Sequence, residues 1–151
     1  MEDIEDFKKS IGKKSRLLGI DPGKKRVGIA ISDENKLVST PLKTIIKKNN
    51  TNVINDILEI IKENNIKGIV VGNPINMDGS KGPSSQSAKD FAKNLSNNIS
   101  IPIVMWDERL SSRGAFNLSS NLNINTSKKV EKLDQNAASF ILQGAIDYIK
   151  R

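Results

Sequence analysis

The sequence contains no cysteine and no histidine among its 151 residues. Without cysteine there is no disulfide framework and no thiolate metal site. Without histidine there is no imidazole base, no serine–histidine pair and no ordinary zinc site. Hydrolytic chemistry in this chain must therefore use carboxylates, lysines or hydroxyl groups. Because carboxylates suit hard cations, the metals that fit such residues are oxygen-ligated Mg²⁺ or Mn²⁺.

Long apolar runs and aromatic residues are also scarce. No apolar run approaches the roughly 20 residues that a membrane span requires. Residues 1–15 lack the apolar stretch of a signal peptide. We therefore expect a cytoplasmic protein without a membrane partner. With one tryptophan and one tyrosine, the composition does not support binding of single strands by stacked aromatic side chains.

Positive charge is in excess, with a formal net charge of +7. Such a charge fits a polyanionic partner such as nucleic acid. A general compositional bias toward lysine, asparagine and isoleucine is the alternative explanation. The length predicts one domain with a real core. We expect a flexible arm at residues 1–16, with a frayed helix over residues 1–14 as the alternative, and a single domain at residues 17–151.

The stretch LLGIDPGKKRVGIAISD at residues 17–33 predicts a β-hairpin. Two apolar runs flank a Pro-Gly-Lys-Lys-Arg turn, which makes Asp21 the last residue of a predicted central strand. Asp21 is then either a turn-former or a site residue, since carboxylates are disfavoured in strand interiors. Gly19 and Gly28 weaken their strands unless another backbone, a bulky neighbour or a ligand must come close.

The remaining pattern predicts an α/β fold with a mixed five-stranded sheet flanked by helices. Three antiparallel strands come first, and two strands joined by helical crossovers follow. The third strand contains Pro41, which argues for an edge position. Helices are expected from Thr51 or Asn52 to about residue 65, from Ser84 or Ser85 onward, from Ser111 or Ser112 to about 118, and over 132–149. Strands are expected at 37–46, 68–71 and 101–106, and polar loops at 72–85 and 119–129.

Carboxylates follow several of these strands and should meet at one edge of the sheet. Ligand sites in open α/β sheets lie outside the carboxyl ends of the parallel strands. Clustered like charges usually imply bound cations. Structural explanations stay open for the members of the set: Asp78 suits a tight turn, one of Asp107 and Glu108 can pair with Arg109 or cap a helix, and Asp134 suits a first helical turn. The acids in question are Asp21, Asp78, Asp107, Glu108 and Asp134.

Four motifs in this order resemble those of the YqgF family. They are GIDPGKKRVGIAISD at residues 19–33, VVGNPINMDGS at 70–80, DERLSS at 107–112 and DQNAASFILQ at 134–143. The resemblance covers residues 17–149. It departs from the family pattern at Asn73, where leucine is usual, and at Ser111 and Ser112, where two threonines are usual. It implies a ribonuclease H-like fold.

Members of that family are described as Holliday-junction resolvases and as nucleases that trim the 5′ end of pre-16S ribosomal RNA. The resemblance therefore implies a metal-dependent nuclease acting on structured precursor rRNA or on branched DNA, as a monomer or a homodimer. Asp21, one acid of the Asp107–Glu108 pair, and Asp134 would hold two Mg²⁺ or Mn²⁺ ions, and of that pair we favour Glu108. Asp78 is a weaker candidate. Phosphate contacts are expected from Lys24, Lys25, Arg26, Lys81 and Arg109. The loop that begins at Asn76 and runs to residue 82 is expected to hold the nucleic acid through its backbone N–H groups.

Two other function classes compete with this interpretation. Actin-like and sugar-kinase proteins have a similar phosphate hairpin, but they resemble two such lobes around a nucleotide. One chain of 151 residues is too short for that, and it has no Walker-type loop. A non-catalytic nucleic-acid or ribosome-assembly protein with the same fold is the second competitor. The presence of every candidate carboxylate argues against it.

Overall fold

The computed structural model describes residues 3–74, 82–108 and 126–150 of the chain. These residues form a central sheet with helices on both faces. The strands are β1 (Arg16–Pro22), β2 (Arg26–Ser32), β3 (Ser39–Ile46), β4 (Ile66–Asn73) and β5 (Ile103–Asp107). The helices are α1 (Ile4–Ile11), α2 (Asn50–Asn64), α3 (Pro83–Asn98) and α4 (Thr126–Ile149).

The sheet has the strand order β3-β2-β1-β4-β5. β1 pairs with β2, and β2 with β3, in antiparallel fashion, whereas β1, β4 and β5 run parallel. The predicted mixed five-stranded sheet is therefore confirmed, including the edge position of the strand that carries Pro41. The carboxyl ends of β1, β4 and β5 consequently lie along the same edge.

Two apolar clusters cover the two faces of the sheet. Alternate side chains of a strand point to opposite faces, so Leu18 and Ile20 join α2 and α3 whereas Leu17 joins α1 and α4. The same alternation holds in β4, where Val71 belongs to the first cluster and Val70 to the second. This alternation therefore shows on which face of the sheet the side chain of each strand-end residue lies.

The N-terminal segment forms a helix, which was the alternative to the flexible arm expected there. Residues Ile4–Ile11 form α1, with Asp3 as its N-cap. Phe7 and Ile11 are buried, and both lie against Gly68 of β4. The pattern of one apolar residue per turn was too sparse to choose between a flexible arm and this helix, and the pocket provided by a strand glycine was not visible from the sequence.

A buried lysine holds the connection between α1 and β1. The side chain of Lys36 is 4% exposed, and its ammonium group donates to the Gly12 carbonyl and to Ser15 Oγ, each at 3.2 Å, and to the Lys13 carbonyl. Burial, and then the positive charge of Lys150, lower the pKa of Lys36, while Asp33 opposes them. The N-terminal segment is therefore fixed to the domain by polar as well as apolar contacts.

Helix boundaries moved in three places. α2 is capped by Asn49, which forms a reciprocal capping box with Asn52, so it begins earlier than expected. α3 begins at Pro83 after Gly82 rather than at a serine cap. α4 begins at Thr126, so residues 126–129 are helical instead of belonging to the predicted loop. The helix expected near residues 111–118 and the rest of that loop lie outside the described residues. No helix in the described parts of the chain is long and apolar enough to cross a membrane.

Candidate active site

Asp21 lies near the end of β1, at the carboxyl edge of the parallel strands. It pairs with Gly28 of β2. On its other side, β1 runs parallel to β4, and Ile20 is paired with Val71. The next residue of each strand is therefore also aligned, so Gly72 of β4 lies beside Asp21. Strand alternation places the Asp21 side chain on the α4 face, as it does for Leu17. A glycine therefore flanks Asp21 on either side.

The first of these glycines brings Asp134 to the site. A Cβ atom added to Gly28 would lie 1.9 Å from the backbone oxygen of Asp134, which is closer than any side chain permits. Cross-strand neighbours have Cβ positions about 4.5–5.5 Å apart, so Asp134 lies directly beside Asp21. Because α4 begins at Thr126, Asp134 is about two turns inside the helix rather than in its first turn. From the sequence, a glycine at residue 28 was expected to weaken its strand unless another backbone, a bulky neighbour or a ligand came close. The backbone of Asp134 is the group that comes close.

Helix α4 is held in this position along its length. A Cβ atom on Gly19 would lie 2.6 Å from Leu142 Cβ and 2.9 Å from the Ala138 oxygen. At the start of β3, the Ser39 N–H donates to Gln143 Oε1 at 2.9 Å and the Ser39 hydroxyl donates to the Ser139 oxygen at 2.6 Å. Close packing and these hydrogen bonds together fix where Asp134 stands.

The carboxylate of Asp134 is paired with Arg26. Arg26 Nε donates to Asp134 Oδ2 at 2.8 Å, and the two side chains are 38% and 22% exposed. Arg26 begins β2, two residues before Gly28, so the same strand contacts the backbone and the side chain of Asp134. From the sequence Arg26 was expected to hold phosphate, and that role stays a prediction beside the observed ion pair.

The second flanking glycine accommodates Glu108. A Cβ atom on Gly72 would lie 3.4 Å from Glu108 Oε1 and 2.5 Å from Ile141 Cδ1 of α4. The carboxylate of Glu108 therefore lies over Gly72 on the α4 face. Because Gly72 is beside Asp21, Glu108 is close to Asp21 as well. Asp21, Glu108 and Asp134 are brought to the same face and edge of the sheet.

Asp107 occupies the opposite face. It pairs with Asn73 at the ends of β5 and β4, and the amide oxygen of Asn73 accepts a hydrogen bond from the buried Ser85 hydroxyl of α3 at 2.8 Å. Strand alternation places Asp107 with Met105, whose side chain packs against the α2 and α3 cluster. The structure thus separates the two neighbouring acids that the sequence left as alternatives.

The acids lie at the same edge of the sheet, but their side chains are not arranged as a preformed metal site. Within residues 3–74, 82–108 and 126–150, no group of three or more acidic side chains is gathered closely enough to hold an ion. The ion pair of Asp134 with Arg26 accounts for part of this, because that carboxylate is turned to the guanidinium. Oxygen donors of the type that Mg²⁺ and Mn²⁺ prefer are nevertheless present on one face.

The predicted basic residues are described only in part. Lys24 and Lys25 are exposed in the β1–β2 turn, close to the edge where Asp21 lies. Asp78, Asn76, Lys81 and Arg109 lie outside the described residues.

Two clefts beside this edge contain residues that were not singled out from the sequence. Lys47, Ser87 and Phe91 line both of them. Lys47 immediately follows an edge strand and could have been noted as a basic residue near the hairpin. Ser87 and Phe91 lie one helical turn apart in α3, but nothing in their spacing shows which helix face borders the hairpin.

Comparison with curated proteins gives close relatives over almost the whole chain. A protein of Pelagibacter ubique is 56% identical over 146 residues, which covers 97% of this chain and 97% of the relative. A Ruegeria relative is 44% identical over 147 residues, covering 97% and 94% of the two chains. Both bear the name "Putative pre-16S rRNA nuclease".

Among solved structures, Thermus thermophilus RuvC in complex with a Holliday junction substrate has a TM-score of 0.59 at 10% identity, covering 89% of this chain and 94% of RuvC. A second structure of the Thermus protein has a TM-score of 0.57. At such low identity the likeness concerns the fold, and it confirms the predicted ribonuclease H-like fold.

A family model described as RuvX, Holliday junction resolvase, matches residues 15–148. That range contains all four motifs quoted above. With the relatives just described, the match confirms the resemblance: the chain belongs to the RuvX family, which is the YqgF family of those motifs.

Proposed function

We propose that this chain is a metal-dependent nuclease that processes the 5′ end of pre-16S rRNA. The observation that carries the proposal is the presence of Asp21, Glu108 and Asp134 on one face at the carboxyl edge of the sheet, with Gly28 and Gly72 making room for them. The names of the relatives from Pelagibacter and Ruegeria support the substrate. The net charge of +7 suits an RNA partner.

In this proposal Asp21, Glu108 and Asp134 hold two Mg²⁺ or Mn²⁺ ions. Their oxygen donors fit those cations, provided that the Asp134 carboxylate exchanges its contact with Arg26. Bound divalent ions supply electrostatic stabilisation of the attacking and leaving oxygens of a phosphodiester. The absence of histidine leaves carboxylates as the natural groups for this role.

The protein's own groups position the substrate and the acids. β1 is paired on both sides, which holds Asp21 rigidly at the strand end. Arg26 keeps the Asp134 carboxylate oriented toward the hairpin while the acids are without a cation. Lys24 and Lys25, exposed in the adjoining turn, attract backbone phosphates to this edge.

The test is cleavage of a labelled RNA spanning the 5′ precursor of 16S rRNA, with Mg²⁺ or Mn²⁺. Asp21→Asn and Glu108→Gln should each reduce cleavage by at least about 100-fold, since a lost metal contact costs several kcal/mol in the transition state. Both variants should still bind the RNA in metal-free buffer, because phosphate contacts dominate affinity.

Asp107→Asn is the matched control for Glu108→Gln. Asp107 is adjacent in sequence but lies on the α3 face, so cleavage by this variant should stay within about threefold of wild type, a change of under about 1 kcal/mol. If Asp107→Asn abolished cleavage and Glu108→Gln did not, the assignment of the site to the α4 face would be wrong. A wild-type protein that binds RNA but never cuts it would favour the non-catalytic binding function instead.

The description of the family model favours a second substrate, a four-way DNA junction. A labelled junction belongs in the same assay, with Asp21→Asn as the control. Cleavage of the junction but not of the RNA would show that branched DNA, rather than precursor rRNA, is the substrate of the proposed nuclease. Symmetric cutting of two strands would also call for a dimer, which sedimentation of the protein–junction complex would reveal.

A further inference from the structure

A groove lies beside the candidate site on the other face of the sheet. It consists of two adjoining clefts of about 220 Å³ and about 320 Å³, which share Lys47, Ser87 and Phe91. The smaller cleft reaches the β1–β2 turn at Pro22 and Lys24, and the larger one extends along α3 to Asn94. We call this feature the hairpin–α3 groove.

The groove begins next to Asp21. Pro22, which lines its near end, directly follows Asp21 and ends β1. Successive strand residues are about 3.3 Å apart along the strand and point to opposite faces. A chain bound at the Asp21 edge can therefore pass over the end of β1 into the groove without a long detour.

Two lysines stand together at this end. The backbone N–H of Lys47 donates to the Lys25 oxygen at 2.9 Å, which fixes the start of the β3–α2 connection against the hairpin turn. Lys24 and Lys47 both line the smaller cleft. The pair offers two positive charges on neighbouring segments, an arrangement suited to successive phosphates of one strand.

The wall formed by α3 has different chemistry. Ser87, Phe91 and Asn94 follow helical spacing and line the larger cleft. Phe91 is partly buried, with its ring packed at the border of the α2 and α3 cluster, while the rest of the lining carries hydroxyl and amide groups. The acid in this wall, Asp90, accepts a hydrogen bond from Gln86 Nε2 at 3.0 Å. A supported aromatic ring next to lysines is a stacking surface for one nucleobase.

We propose that the hairpin–α3 groove binds the single-stranded RNA segment adjoining the cleaved phosphate, with one base against Phe91 and backbone phosphates on Lys24 and Lys47. The inference rests on the proposed nuclease function and specifies the form of its substrate. Base pairing covers the faces of a base within a duplex, so an unpaired base is required for the contact with Phe91. A single ring suffices here, despite the low aromatic content of the chain.

The experiment measures the affinity of the protein for a fluorescent 12-nucleotide RNA single strand by anisotropy, in metal-free buffer. Phe91→Leu keeps an apolar side chain in the core but removes the flat ring, and it should weaken binding about tenfold. Phe91→Tyr keeps the ring and should bind like wild type. Lys47→Ala should weaken binding and make the salt slope shallower by about 0.7, the value for one lost phosphate contact on a single strand.

Lys43→Ala is the matched control for Lys47→Ala. Lys43 lies in β3, the strand that Lys47 follows, is exposed and lines neither cleft, so its removal should leave affinity and slope nearly unchanged. Circular dichroism and thermal unfolding establish that each variant is folded. A base analogue such as 2-aminopurine in the RNA should lose fluorescence on wild-type protein and keep it on Phe91→Leu.

Several results would overturn the inference. Equal binding of wild type, Phe91→Leu and Lys47→Ala would do so, and so would tighter binding of an RNA duplex than of the single strand. If the groove variants lost affinity only for a DNA strand of the same sequence, RNA would be the wrong ligand. The outcome is separable from that of the proposed function: groove-dependent binding without any cleavage would refute only the nuclease, and normal cleavage by both groove variants would refute only the groove.

Discussion

Asp134 combines a structural contact and a proposed catalytic one in the same carboxylate. Its ion pair with Arg26 is short, but the side chains are 38% and 22% exposed. Exposed or half-exposed pairs contribute about 0–1 kcal/mol because water screens them. The pair is therefore weak enough to exchange when a cation or a phosphate arrives, which is what the proposed function requires of it.

We predict that Asp134→Asn separates stability from activity. The free energy of unfolding in urea should change by less than about 1 kcal/mol, while cleavage should fall at least about 100-fold. Asp147→Asn is the control on the same helix, since Asp147 is exposed and should affect neither quantity appreciably. A large loss of stability without loss of cleavage would show that Asp134 is structural only.

Asp33 makes stability depend on pH. Its Oδ1 accepts hydrogen bonds from the N–H groups of Leu37 at 2.8 Å and Val38 at 3.0 Å. The Val38 bond first, and then the Leu37 bond, lower the pKa of Asp33 below its ordinary value of 3.8, although burial opposes them. With a folded pKa below the unfolded one, the stabilisation is present above about 3.8 and is lost as pH falls through the folded pKa.

Asp33→Asn should remove this contribution. The difference in unfolding free energy between wild type and variant, measured in urea, should be largest near neutral pH. It should shrink as pH is lowered from neutral to below about 3.8, as the carboxylate of the folded wild type becomes protonated. A difference that stayed constant over that range would mean that the charge of Asp33 does not contribute.

Helix α4 depends on strand glycines for its closeness to the sheet. At Gly19 and Gly28 the helix occupies the space that a side chain would need, and at Gly28 the occupant is the backbone of Asp134 itself. Backbone atoms within a helix cannot turn away as a flexible side chain can. A methyl group at residue 28 must therefore displace the part of α4 that carries the acid.

Gly28→Ala is accordingly expected to destabilise the fold by about 1–3 kcal/mol, the usual cost of overpacking, and to reduce cleavage strongly. Urea unfolding and the RNA cleavage assay measure the two effects. Lys43→Ala, on the exposed surface of the neighbouring strand β3, should change stability by no more than about 0.5 kcal/mol. Wild-type cleavage by Gly28→Ala would argue against the position of Asp134 in the site.

The whole chain has a net charge of +7, and this should appear in how binding responds to salt. The affinity for RNA should fall with a log–log slope of about −2 or steeper, the value for three or more contacted phosphates of a single strand at about 0.7 each. Lys24→Ala combined with Lys25→Ala should make the slope shallower, whereas Lys62→Ala in α2 should not. A flat response to salt would contradict a nucleic-acid partner.

Local pattern was enough to predict most of the elements and the fold class. Apolar alternation, turn residues and helical spacing are properties of neighbouring residues. They were enough to predict the succession of strands and helices along the chain, the edge strand with Pro41 and the long last helix. The end of α3 nearest the site was less predictable, since Pro83 and Gly82 replaced the expected serine caps. Helix α1 stayed one of two alternatives because its stability comes from the pocket at Gly68 rather than from its own pattern.

For the candidate site, the residue types and the predicted strands were enough to show that carboxylates follow the strands that end at one edge and that no histidine can take part. Which acids share a face depends on how the folded chain packs: Glu108 lies over Gly72, Asp107 lies beside Asn73, and the backbone of Asp134 lies against Gly28. The pair of Arg26 with Asp134 joins residues 108 positions apart. Such contacts arise only when α4 packs across the sheet, because spacing along the chain carries no information about which distant backbone fills the space above a glycine.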